Sequence, residues 1–152
     1  MLRSARAATV AFGSAALVAT ASLPAVADVH TLPATHRSPV VIGAVQADSP
    51  GRDDGSNRSL NAEWVTVKNT SRRAINLQGW TLTSERSHKT YRFNNLRLAG
   101  NQSVRVHTGR GRDAVRDIYQ DRRDYVWHNQ RDTATLRDHH RHTIDTKSWG
   151  RR

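Results

Sequence analysis

Short apolar runs separated by polar turns recur along the chain, with a period of two rather than 3.6. Val40-Val41-Ile42-Gly43-Ala44-Val45 is a continuous apolar stretch of core-strand length. Leu60 to Lys68 and Ile75 to Leu82 then bracket the polar break Asn69-Thr70-Ser71-Arg72-Arg73, a pattern that predicts two strands and a tight connection. Alternation puts Val65 and Val67 on one face, and Trp80 and Leu82 on one face of the next strand. Gly79, just before Trp80, marks a kink or a close chain approach. Trp80–Thr83 and Tyr91–Phe93 flank the polar Glu85 to Lys89 and predict a hairpin. Leu96 and Leu98 alternate, Ala99 to Gln102 turns the chain, and Ser103 to His107 forms a strand with its valines inward. Thr133–Arg137 and Thr143–Thr146 predict a last hairpin, turning at Asp138 to His142.

The same alternation says what faces outward. Trp64, Thr66 and Lys68 point away from the valine face, and a tryptophan there is either covered or a contact residue. The expected cover is the long connection after His107. Arg105 and His107 project outward, beside Arg92 if those strands pair. Asp48 to Asn61 reads as a loop of turn chemistry. The connection Thr108 to Asn129 opens Gly109-Arg110-Gly111-Arg112. Its acidic residues recur every four positions (Asp113, Asp117, Asp121), as do Arg112 and Arg116, which predicts a helical turn or two. Ile118, Tyr119, Tyr125, Val126 and Trp127 give it the apolar surface to dock on a sheet. Trp149-Gly150-Arg151-Arg152 reads as a basic tail.

The ordered series Glu63-Trp64-Val65-x-Val67-x-Asn69, Leu77-x-Gly79-Trp80-x-Leu82, Thr90-Tyr91-Arg92-Phe93, Leu96-x-Leu98-x-Gly100 and Val104-x-Val106 resembles the lamin tail domain. So do Gly109, Trp127 and Asp132-Thr133-Ala134-x-Leu136-x-Asp138 further on. The likeness spans roughly Val40 to Asp145. It implies an all-β, immunoglobulin-like β-sandwich over residues 39–149, a fold that hosts binding modules far more often than catalysis. It also implies that Glu63, Trp64, Asn69, Gly79, Trp80, Phe93, Gly100, Gly109 and Asp132 are framework positions. The sequence departs from the nuclear proteins that gave the family its name. It has no heptad rod and no cysteine to prenylate, so the nuclear role does not carry over.

Residues 1–27 stand apart from this pattern. Arg3 and Arg6 precede the small apolar run Ala7 to Ala21, and Ala25-Val26-Ala27 fits an export-signal cleavage site. The expectation is a secreted protein cleaved after Ala27, with a flexible leader over residues 28–38 and no membrane span in the mature chain. With no cysteine, such a domain holds its fold by packing alone.

Charge sharpens the functional expectation. The formal net charge is +11, and eighteen basic against eight acidic residues follow Asn69. Codon bias accounts for arginine over lysine, but not for the missing acidic counterweight. The field favours polyanions and weakens with salt. Arg92, Arg105, Arg110, Arg112, Arg122 and Arg123, with Tyr119 and Trp127, are the candidates for contacting an anionic polymer, through guanidinium forks and aromatic faces. The competing expectation is a packed cap with a solvated rim.

Other chemistry is thinner. Asp48, Asp53, Asp54, Asn57 and Glu63 carry oxygens of the kind Ca²⁺ takes, without EF-hand spacing. His140 and His142 share a face if they lie on a strand, a pair usable by zinc, although neighbouring arginines repel it. There is no cysteine nucleophile, no Gly-x-Ser-x-Gly elbow and no His-Glu-x-x-His helix. A non-catalytic module without cofactor, binding a nucleic acid or an envelope polyanion, is therefore the leading expectation. An extracellular protein–protein module, using a sheet edge or Trp64, is the alternative. A small metal-dependent hydrolase built on His139 to His142 is the second.

Overall fold

The computed structural model describes residues 38–150. The expected export signal and all of the leader except Ser38 lie outside the described residues. Among these residues no helix is long and apolar enough to cross a membrane.

Ten strands and one short helix follow in order: β1 (Val40–Gln46), α1 (Asn57–Ala62), β2 (Trp64–Asn69), β3 (Ile75–Asn76), β4 (Thr81–Ser84), β5 (Thr90–Arg92), β6 (Arg97–Leu98), β7 (Ser103–His107), β8 (Asp117–Tyr119), β9 (Asp132–Arg137) and β10 (Thr143–Trp149). They form two four-stranded sheets, β1-β2-β7-β8 and β10-β9-β4-β5, with β3 and β6 as a separate pair. Val65, Val67, Val104 and Val106 supply the inner face of the first sheet, and Leu82, Ala134 and Leu136 that of the second. All are buried, with Trp80 and Phe93, in one core. This is the immunoglobulin-like sandwich that the alternation and the resemblance predict.

The two runs around the Asn69–Arg73 break do not form a hairpin. β2 pairs with β1 and β7, and β4 belongs to the opposite sheet. Asn69 is the reason. Its buried side chain accepts from Ser71 N and Oγ and donates among the carbonyls of Arg73, Leu98 and Ala99. The turn is thereby bound to the β6–β7 connection rather than folded back on β2. Gly100 seats it, because a side chain there would run into the Arg72 carbonyl. The predicted hairpin of β4 and β5 is present, with Leu82 opposite Tyr91. So is that of β9 and β10.

Three local expectations are corrected. The Asp48–Asn61 loop contains α1, because Ser56 caps it by accepting from Ser59 N and Leu60 supplies a buried anchor. The Thr108–Asn129 connection has no helix. The four-residue charge spacing lacks an apolar stripe to bury, and Ile118 enters the core from β8, parallel to β7. Trp149, expected in a basic tail, belongs to β10, stacks edge-on to Trp127 at 5.7 Å and donates from Nε1 to the His128 carbonyl, and Arg151 and Arg152 lie outside the described residues.

Candidate functional site

Glu63 is the anchor of the region. It ends α1, opens onto β2 and is fully buried. Its Oε1 accepts from Thr108 Oγ1 at 2.5 Å, Val126 N at 2.9 Å and Trp127 N at 3.2 Å. One carboxylate thus fastens both ends of the long connection. Burial pushes the Glu63 carboxyl up to about 7, against the opposing pull of those three donors.

Between these fastenings lies the glycine–arginine segment. A side chain at Gly109 would meet Asn61 Oδ1 at 2.5 Å and Asn57 Oδ1 at 2.7 Å, and one at Gly111 would enter the Tyr119 ring. Gly109 is buried and Gly111 is exposed but lies against the Tyr119 ring, so nothing larger fits at either, and Arg110 and Arg112 face solvent. Helix α1 clasps the Arg110 backbone: Asn57 Oδ1 accepts its N–H, while Asn57 and Asn61 both donate to its carbonyl. The connection is further tied down by Arg122, which donates to the Thr90 carbonyl, and by Lys89, which reaches Asp124 and the Tyr125 carbonyl. Tyr125 itself hydrogen-bonds Ser59.

The outer face of β2–β7–β8 lies beside this loop. Tyr119 stacks on His107 with centroids 5.0 Å apart. His107 Nδ1 lies 2.6 Å from the Asn61 carbonyl and Nε2 lies 2.9 Å from Asp117 Oδ1. Which of the two ring nitrogens donates depends on the tautomer. The same Asp117 oxygen is 3.7 Å from Arg105. The Arg105 guanidinium sits 4.6 Å above the Trp64 ring, a cation–π contact that orients the charge. Arg105 N donates to the Arg116 carbonyl. The two arginines line a groove of about 370 Å³ with Thr66, Gln102, Ser103 and Asp117.

The structure sorts the candidates. Arg105, Arg110, Arg112 and Arg123 are exposed on β7 and the connection, and Arg122 is half-buried. Arg92 is not beside Arg105. It stands on β5 in the opposite sheet, where its guanidinium lies over Gly79 with His139. Trp127 is 2% exposed and packed on Trp149, so it offers no face to a ligand. Tyr119 is occupied by His107. His107, expected outward in solvent, does point to the outer face but is buried under Tyr119. The connection covers His107 rather than Trp64, which is covered by Arg105. Sequence reasoning missed Arg116, whose signal, a spacing of four from Arg112, pointed to a helix.

Of the proposed oxygen ligands, Asp48 and Asp53 come together on one Asn129 nitrogen, and Asp54, Asn57 and Glu63 have separate partners. Asp54 accepts from Ser56 N, Asn57 from Arg110, and Glu63 faces inward. His140 and His142 lie in a turn, not on a strand. Asp138 closes that turn by accepting from the N–H groups of both. Among the described residues no three His, Cys, Asp or Glu side chains come together to hold a metal.

Two packed sheets with a long loop fastened across one of them make an immunoglobulin-like module. The Lamin Tail Domain family model matches residues 33–151. The chain belongs to that family, whose members are non-enzymatic immunoglobulin-like domains. No curated protein matches it.

Proposed function

We propose that this is a secreted, non-catalytic module that binds an anionic polymer through the outer face of β2–β7–β8 and the glycine–arginine segment. The observation that carries the proposal is that Arg105 and Arg116 line one groove, with Arg105 held over the Trp64 ring. A guanidinium already oriented loses less side-chain entropy on binding, and its fork suits phosphate or sulfate oxygens. Arg110 and Arg112 extend the positive surface, their backbone fixed by α1 and Tyr119. Asp117 offsets part of the charge, and it is shared with His107. Sheet-edge addition at β8 is less suited, because its open side is filled by its own chain: Tyr119 N donates to Asp113 Oδ1 and Ala114 N to the Asp117 carbonyl.

Anisotropy titration of the purified protein with labelled single-stranded DNA, and with a teichoic-type polymer or heparin as competitor, tests this at two ionic strengths. Affinity is expected to fall steeply with salt. The double variant Arg105→Gln/Arg116→Gln is expected to reduce the slope of log K against log salt by about 1.4. Salt-independent binding, absence of binding, or an unchanged slope in the variant would overturn the proposal.

A further inference from the structure

A second group of cations, away from the β2–β7–β8 face, is organised by Asp132. This buried carboxylate accepts four hydrogen bonds, all from neutral donors. Oδ2 takes Ser84 Oγ at 2.6 Å and His128 N at 3.2 Å, and Oδ1 takes Thr133 N at 2.7 Å and Arg86 N at 3.1 Å. Its lone pairs are filled without a cation, and it joins the β4–β5 turn to the loop before β9. Arg86 comes from the turn, and Arg131 from the loop. Both side chains are exposed and border the same two clefts, of about 550 Å³ and 330 Å³. Among the described residues neither has a carboxylate within ion-pair distance. Glu85, at the edge of the smaller cleft, is taken by Arg137.

The rest of the lining completes a site. His128 and Gln130 flank the larger cleft, and Gly150 closes it. The glycine is needed there, with φ +89° and room only for a hydrogen against Arg131 Cα at 2.8 Å. Arg86, His128 and Gln130 continue into an adjoining cleft of about 700 Å³, where the half-buried Tyr125 adds carbon surface above the buried Val126 and Trp127. Asp53 lies on its rim and discourages a second negative charge. The arrangement is two unpaired guanidinium groups on a fixed backbone, next to a partly apolar recess.

We propose that Arg86 and Arg131 form a separate binding site for a small oxyanion ester, a phosphate or sulfate carrying one apolar or aromatic substituent. The charged head takes the two guanidinium forks, which donate in the geometry such oxygens accept. The substituent lies toward Tyr125. The site does not depend on the polymer-binding face.

The test is an amide chemical-shift titration of the full chain with inorganic phosphate, inorganic sulfate and phenyl phosphate. Saturable shifts are expected at Arg86, His128 and Arg131, with phenyl phosphate the tightest of the three. Arg86→Gln or Arg131→Gln is expected to weaken binding about tenfold, the worth of one charge-assisted hydrogen bond. Because both side chains are exposed and Asp132 bonds only to the Arg86 backbone, the variants should keep the wild-type melting temperature. Arg105→Gln/Arg116→Gln is expected to leave these shifts unchanged, so failure of the polymer proposal and failure of this one read separately. Non-saturating shifts, equal affinity of the three probes, or retention of binding in the double variant Arg86→Gln/Arg131→Gln would overturn it.

Discussion

Three buried polar side chains, Glu63, Asn69 and Asp132, each hold together segments far apart in the chain. Each accepts from or donates to backbone groups that water cannot reach, so truncation strands several partners at once. Glu63 also makes stability depend on pH. Its folded value of about 7 lies above the ordinary 4.5, so between those values the folded protein keeps a proton that the unfolded chain has released. Stability therefore falls as pH rises through that window, by up to about 3 kcal/mol. Glu63→Gln keeps an oxygen for the three donors and cannot ionise. Denaturant midpoints at pH 5 and pH 8 are expected to show a smaller decline in this variant than in wild type. A larger decline in the variant would mean that the three hydrogen bonds outweigh burial.

At the scale of elements, the Thr108–Asn129 connection is held by contacts that leave no space. Gly111→Ala would push a methyl group into the Tyr119 ring and lift it from His107. Overpacking of this kind costs about 1–3 kcal/mol. The expected outcome is a lower melting temperature together with weaker polymer binding, since Arg110 and Arg112 lose their fixed backbone. Asp113 has a different role: it satisfies the outward N–H of Tyr119 at the edge of the sheet. Asp113→Ala is expected to speed hydrogen exchange at the Tyr119 amide while leaving exchange at Val65 and Val106 unchanged. The strands themselves were legible from alternation, down to the inward valines. The absence of a helix in the connection was not, because charge spacing says which side chains could be neighbours and nothing about where Ile118 is buried.

For the whole molecule, no disulfide restrains the unfolded chain, so closure rests on packing. The two sheets meet along β1 and β10, where Ile42 N donates to Asp145 Oδ2. Trp149 then locks the last strand onto Trp127. Trp149→Ala removes this half-buried contact and the bond to His128, at about 2–3 kcal/mol. Calorimetry is expected to show a single transition at lower temperature. An unchanged melting temperature would show that β10 holds without its terminal residue.

The sequence by itself determined most of the strand positions, though not β8, together with the sandwich class and the surplus of positive charge. These depend on period-two alternation, on an ordered set of residues and on composition, all of which are local or additive. Only the tertiary structure decided that Arg92 and Arg105 stand on opposite sheets, that Trp127 is buried, and that Arg116 joins Arg105. It also decided that Glu63 is an interior anchor rather than a calcium ligand. Those outcomes depend on which strands pair across long separations, and a one-dimensional pattern fixes a side chain's face without fixing its neighbours.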